Sequence, residues 1–313
     1  MKKVRHLLSM ADLSRKELVQ LLDLAAAVKK FPKKFHKSLY EKVLLTFFQM
    51  PSLRTEVSFD VAMFTMGGEI VDYHSETSPW ANGKERLEDV AQVVARYVDA
   101  VMIRMHDHQE LLKFAKNCSV PVINGLTSYE HPCQVLADVL TMREKFGDLQ
   151  GKKIAYLGDC CNNTTHSLLL GCAMMGMEIR VACPKLKEYL PDAKIVKIAQ
   201  QFAKKYKGKV VVTADPKVAV KGVDVVYTDS WMSYRVPPEE KNRRVKDLRL
   251  YQVTAALMRL AKKSAVFMHD LPALRGQEVT AEVIDGKQSI VFDQAENRLH
   301  TEKAVLLFLL KKK

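Results

Sequence analysis

The chain has 313 residues, 48% of them hydrophobic, and Lys+Arg outnumber Asp+Glu by 49 to 36 for a formal net charge of +13. This is too long for one ordinary core and suits two. Its six cysteines form no CxxC pair, which argues against a zinc ribbon or thioredoxin-type motif. No run of eighteen apolar residues is present to cross a membrane.

The N-terminal "MKKVRHLLSMADLSRKEL" has an apolar run too short for a signal peptide and broken by Asp12 and Arg15. It reads as a helix start, and the protein is expected to be cytoplasmic with reduced thiols. The positive excess suits an anionic partner: nucleic acid, a membrane surface or a phosphorylated small molecule. The basic runs "VKKFPKKFHK", "KKYKGK" and "KKK" read as solvated helix faces and a chain end. They do not make a single-strand binding platform, so neither nucleic acid nor membrane is the expected partner.

In chain order, nine short apolar runs bounded by turn or charged residues predict buried parallel strands. They are "KVLLTFF", "GGEIVDY", "DAVMIRM", "VPVIN", "KKIAYLGD", "MEIRVACP", "KVVVTAD", "VDVVYTD" and "SAVFMHD". Between them, segments such as 84–98, 132–146 and 164–175 have amphipathic helical spacing, and 294–310 is a long helical pattern. This alternation predicts an α/β protein of two doubly wound parallel-sheet domains. "FGDLQGKK" is the expected boundary, giving domains 1–147 and 148–293 with a C-terminal segment 294–313.

Ligands of such sheets bind beyond the carboxyl ends of the strands. Polar residues recur there: Ser52-Leu53-Arg54-Thr55 after the first strand and Arg104 at the end of the third. "GLTSYEHPCQ", "CCNNTTHS", "SWMSYR" and "LPALRG" follow later strands. Ser52 to Thr55 open a helix, whose free N–H groups and dipole favour an anion. Arg54 adds a bidentate grip for phosphate or carboxylate. N-capping alone explains Ser52 and Glu56 but not Arg54. His131-Pro132-Cys133-Gln134 opens another helix, with Pro132 suited to its first position. There His131 can donate to an oxygen, Gln134 offers donors and an acceptor, and Cys133 suits helix packing. "GDCCNN" lacks the GxGxxG of a dinucleotide site, which disfavours a nicotinamide enzyme. Asn162 and Asn163 suit an amino-acid backbone or a helix cap.

Taken together, "FFQMPSLRT", "VMIR", "HPCQVLADVLT", "YLGDCCNN", "TDSWMS", "HDLPALRGQEV" and "FDQAENRLHTEKAV" resemble the aspartate/ornithine carbamoyltransferase family in order and along essentially the whole chain. The resemblance implies a first domain for carbamoyl phosphate, a second for an amine acceptor, and a C-terminal helix packing back on the first. It implies trimers with sites between subunits. Ser52, Leu53 through its backbone, Arg54 and Thr55 would hold the phosphate, with Trp80 and Leu271 also lining that substrate. Arg104 and His131 would polarise the carbonyl, Gln134 would read the carbamoyl NH2, and Arg298 would complete the site. Asn163, Asp229 and Ser233 would bind the acceptor. Tyr234 and Arg235, where the family pattern is not kept, are expected beside them, and by its own chemistry Asp270 could orient the amine or take its proton.

The chemistry agrees, because carbamoyl transfer needs oxyanion donors and substrate alignment rather than a metal or organic cofactor. The second-domain motifs are nearest the ornithine branch, with L-citrulline and phosphate as the expected products. This chain departs from the branch in Asp270 for a cysteine, in Tyr234-Arg235, in Trp80 and in Glu56, where relatives carry an arginine. Another amino acid or diamine acceptor, or a weakly catalytic relative with a binding or regulatory role, stays open.

Overall fold

The computed structural model describes residues 4–75, 78–232 and 236–310. Its contacts divide into two compact units, one of residues 1–140 with 296–313 and one of residues 141–295.

The first unit holds α1 (Arg15–Lys30), β1 (Val43–Phe48), α2 (Leu53–Thr65), β2 (Glu69–His74), α3 (Leu87–Val94), β3 (Ala100–Arg104), α4 (His108–Asn117), β4 (Val122–Leu126) and the start of α5 (Pro132–Phe146). Its four strands are parallel in the order β2-β1-β3-β4. Every residue of β3 and β4 is buried, so both faces of the central sheet are covered. Phe47, Val101, Ile103, Leu111 and Phe114 pack into one cluster on this sheet. Ser14 and Glu17 form a reciprocal capping box that starts α1, and Leu18, Leu21, Leu22, Ala25 and Val28 are its buried stripe.

The second unit holds β5 (Lys153–Leu157), α6 (Asn163–Met174), β6 (Glu178–Ala182), α7 (Ala193–Tyr206), β7 (Lys209–Thr213), α8 (Pro216–Val220), β8 (Val225–Thr228), α9 (Lys241–Leu248), α10 (Ala255–Met258), β9 (Val266–Met268) and α11 (Ala281–Ile284). The sheet order is β7-β6-β5-β8-β9, again all parallel. α6 is buried from Thr164 to Met174, which explains a composition too apolar for a surface helix. The last helix, α12 (Val291–Leu310), starts in the second unit, and its residues from Glu296 onward belong to the first. Among the described residues, no helix is long and apolar enough to cross a membrane.

All nine expected strands form. The pattern over 84–98 shortens to α3, because the chain leaves the helix at Ala95. α12 begins three residues before the expected 294. The order of strands reverses between β1 and β3 in the first unit and between β5 and β8 in the second, and these switch points are where doubly wound sheets bind ligands.

Gly176 ends α6 at φ +74°, with Met177 N–H donating to the Cys172 carbonyl at 3.0 Å. A Cβ there would meet the Gln150 side chain at 2.4 Å and the Tyr206 carbonyl at 2.6 Å. Gly176→Ala should therefore cost on the order of 2 kcal/mol in chemical denaturation, from the left-handed backbone and the clash together. A change below about 0.5 kcal/mol, the scale of an ordinary surface substitution, would refute this packing.

Candidate functional site

In the first unit, β1 delivers Ser52 as the N-cap of α2. Its hydroxyl accepts the Thr55 N–H at 3.4 Å and donates to Thr55 Oγ1 at 3.2 Å. Leu53 is exposed, Arg54 is half-buried and Thr55 is buried. Arg104 closes β3, the neighbouring strand, and is buried. After β4, His131 lies just ahead of α5, its carbonyl accepting from Gln134 N–H at 3.2 Å. Cys133 donates from Sγ to the Asn124 carbonyl at 3.4 Å, and burial pushes its thiol up to about 12, as befits a packing residue.

Arg298 on α12 joins these pieces. Its Nη1 donates to Gln134 Oε1 at 2.9 Å and its Nη2 to Thr55 Oγ1 at 3.3 Å, all three residues being buried. Gln134 Nε2 in turn donates to Asp138 Oδ1 at 2.8 Å. Burial first, then Arg298, Arg104 and Arg54, hold the His131 imidazole neutral well below its ordinary range. The first turns of α2 and α5 therefore face a common cationic neighbourhood with a neutral histidine. This arrangement can bind a dianion and donate hydrogen bonds to an oxygen that gains charge.

Trp80 packs against Phe47, with ring centroids 5.6 Å apart and planes at 62°. Glu56, the unexpected acid in the first turn of α2, places Oε1 3.6 Å from His74 Nε2 at the end of β2. The His74 ring stacks on Phe48 at 5.5 Å. Asp60, one helical turn further along α2, is pushed up to about 6 by burial, then by Asp72 and Glu56.

In the second unit, residues at the ends of β5, β8 and β9 converge. Asn162 caps α6, accepting Thr165 N–H at 2.7 Å, and Asn163 is the first helical residue. Asp229 follows β8 and accepts Ser230 N–H at 2.5 Å. Asp270 follows β9 and accepts from Thr164 Oγ1 at 3.0 Å. Asp229, His269 and Asp270 have ligand-type atoms within 4.8 Å of one another, the one such trio among the described residues. His269 Nδ1 accepts Leu271 N–H at 2.9 Å, whereas its buried Nε2, 3.4 Å from Glu278 Oε1, makes no hydrogen bond. Burial first, then Asp270, raise the proton affinity of Asp229 well above the carboxylate range. Leu271 belongs to this unit, at φ +57°. Ser233, Tyr234 and Arg235 lie outside the described residues.

Sequence reasoning missed Glu302, which holds Arg298 from one turn further along α12, and Thr164, which holds Asp270. The four-residue spacing from Arg298 was the available signal for Glu302. It also missed His74 as the partner of Glu56, which no sequence spacing marks.

The fold and these strand-end clusters define a doubly wound α/β protein with arginines and a histidine gathered at two helix starts in one unit and paired carboxyls in the other. Residues 5–144 match the family model described as aspartate/ornithine carbamoyltransferase, carbamoyl-P binding domain, and residues 150–309 match the Asp/Orn binding domain of the same family. The ornithine carbamoyltransferase of Methanobrevibacter smithii is 47% identical, over 98% of this chain and 99% of its own. That of Carboxydothermus hydrogenoformans is 46% identical, over 98% and 97%. Among solved structures, Pyrococcus furiosus ornithine carbamoyltransferase superposes with a TM-score of 0.91 at 44% identity, covering 96% of each chain. The Giardia lamblia ornithine transcarbamoylase gives 0.91 at 39%, covering 100% of each. The chain belongs to the aspartate/ornithine carbamoyltransferase family.

The neutral state of His131 is directly measurable. Its ring C–H resonance should be flat with pH from 6.5 upward, because burial and the three arginines hold its titration well below the ordinary histidine value of 6.5. An NMR midpoint at or above that value would contradict the cationic surroundings described.

Proposed function

We propose that the chain transfers the carbamoyl group of carbamoyl phosphate to the δ-amino group of L-ornithine, giving L-citrulline and phosphate. The observation that carries this reading is the buried Arg298 bridge between Thr55 and Gln134, which draws the first turns of α2 and α5 to one centre. Relatives named ornithine carbamoyltransferase, alike over nearly their whole length, support the acceptor.

In this reading Ser52, Arg54, Thr55 and the Leu53 N–H hold the phosphate at the α2 terminus. Arg104, neutral His131 and Thr55 donate to the carbonyl oxygen, with Trp80 and Leu271 shaping the site. Gln134 accepts from the carbamoyl NH2, and Arg298 fixes Gln134 and Thr55. The amine lone pair attacks the carbonyl carbon, the bond from that carbon to the phosphate oxygen breaks, and the departing phosphate takes the amine proton. No charge is left unmatched, because the developing oxyanion faces donors already in place.

Asn163, Asp229 and Asp270, with Ser233, Tyr234 and Arg235, bind the acceptor. Burial and then Asp270 raise the proton affinity of Asp229, and an ammonium group offers it a counter-charge in place of that proton. Asp270 is suited to orient the amine.

We further propose domains 1–147 and 148–293, with 294–313 returning to the first, in a cytoplasmic homotrimer with shared sites. The six cysteines are free thiols, in keeping with a reducing compartment. The outer face of α2 carries Leu53, Val57, Val61 and Phe64, beside Val71 and Tyr73 on the edge strand β2, all exposed. Such a patch fits a second copy of this chain better than water.

Incubation with carbamoyl phosphate and a panel of amines should give a ureido product with ornithine, and Arg54→Ala should lower kcat/KM by about a thousandfold. Absence of product from every amine would refute the enzyme reading, and normal kinetics in the variant would refute the phosphate assignment. Phe64→Glu, at a side chain 82% exposed, should shift the assembly toward monomer in light scattering while the chain stays folded. An unchanged mass would exclude this face from the interface.

A further inference from the structure

We infer that Glu302 is a positioning residue for carbamoyl phosphate, acting by fixing the plane and reach of the Arg298 guanidinium. The inference rests on the carbamoyl transfer proposed above.

Glu302 stands one turn after Arg298 on α12. Its Oε1 accepts from Arg298 Nε at 3.0 Å and from Nη2 at 2.6 Å. The two side chains are 3% and 0% exposed, so this is a buried ion pair rather than a surface one. Helix stability does not account for it. The order Arg then Glu along a helix opposes the favourable orientation. Burial also removes both charges from water, and a buried pair is often matched or bettered by apolar residues of similar size.

What the pair does provide is direction. One carboxylate oxygen engages two of the three guanidinium nitrogens, which fixes both the plane and the axis of the group. The donors left over then point one way: Nη1 at Gln134 Oε1, 2.9 Å, and Nη2 at Thr55 Oγ1, 3.3 Å. Gln134 is pinned from its other side by the buried Asp138, at 2.8 Å. The result is a line of alternating acceptors and donors, Glu302–Arg298–Gln134–Asp138, with a carboxylate at each end. Thr55 sits in the first turn of α2 and Gln134 in the first turn of α5, the two termini that would grip the substrate. Released from Glu302, the long Arg298 side chain regains its rotamer freedom and must be ordered again each time substrate binds.

The test separates position from charge. In Glu302→Gln the amide oxygen keeps the reach and loses the charge. In Glu302→Asp the charge stays while the oxygen withdraws by one methylene. Carbamoyl phosphate affinity is measured by calorimetry on the full chain, alongside kcat and both KM values. The expected result is a rise in Kd and in KM for carbamoyl phosphate of about tenfold in Glu302→Asp, with the acceptor KM unchanged and most of the affinity kept in Glu302→Gln. Affinity kept in Asp and lost in Gln would overturn the positioning role in favour of charge. Equal, unchanged affinity in both would overturn it outright. If the unsubstituted protein binds no carbamoyl phosphate, the failure lies with the proposed function. If it binds and only the variants fail to differ from it, the failure lies with this inference alone.

Discussion

The first unit depends on one buried cation. A guanidinium removed from water needs its donors matched, or its burial costs several kcal/mol. Arg298 makes four hydrogen bonds, to Glu302, Gln134 and Thr55, and so couples α12 to the N-termini of α2 and α5. Those termini already carry the partial positive charge of a helix start. The same requirement that makes Arg298 tolerable inside the protein brings two anion-binding helix ends to a common point. His131 follows from it, because an imidazole buried among Arg298, Arg104 and Arg54 stays neutral. A neutral ring can donate to a developing oxyanion without adding a proton to be lost later in the reaction.

The second unit solves the opposite problem. Here two carboxyls stand at the ends of adjacent parallel strands, with Thr164 donating to one and the Ser230 N–H to the other. Burial first, then the Asp270 carboxyl, make the half-buried Asp229 hold its proton more tightly than an exposed carboxyl. A cationic amine would supply the counter-charge in the function proposed above. The two units thus present complementary preferences, for an anion and for a cation. Those are the charges of an acyl phosphate and of an amino acid with a second amine.

Much of this was legible in the sequence because parallel strands read as short apolar runs; the expected burial fails only at the edge strands β2 and β7, which have no neighbour on one side and are largely exposed or half-buried. Ser52, Arg54, Thr55, His131 and Gln134 could be singled out as candidates because they follow strands and open helices at the edge where doubly wound sheets bind ligands. Glu302 was not, since a Glu four residues from an Arg on a helix looks like a solvated surface pair until burial is known. Nor was the partner of Glu56. His74 ends the next strand, β2, and the packing of that strand beside α2 brings its Nε2 within 3.6 Å of Glu56 Oε1. Trp80 shows the same limit: its indole packs against Phe47, a contact set by tertiary structure rather than by spacing.

Hydrogen exchange with and without carbamoyl phosphate tests the central claim most directly, namely that the first turns of α2 and α5 form a single anion grip tied by Arg298. Slowed exchange is predicted together at 53–56 and 133–135 on addition of the ligand, with both segments protected over the same concentration range. Protection of one terminus without the other, or of neither at saturating ligand, would contradict it.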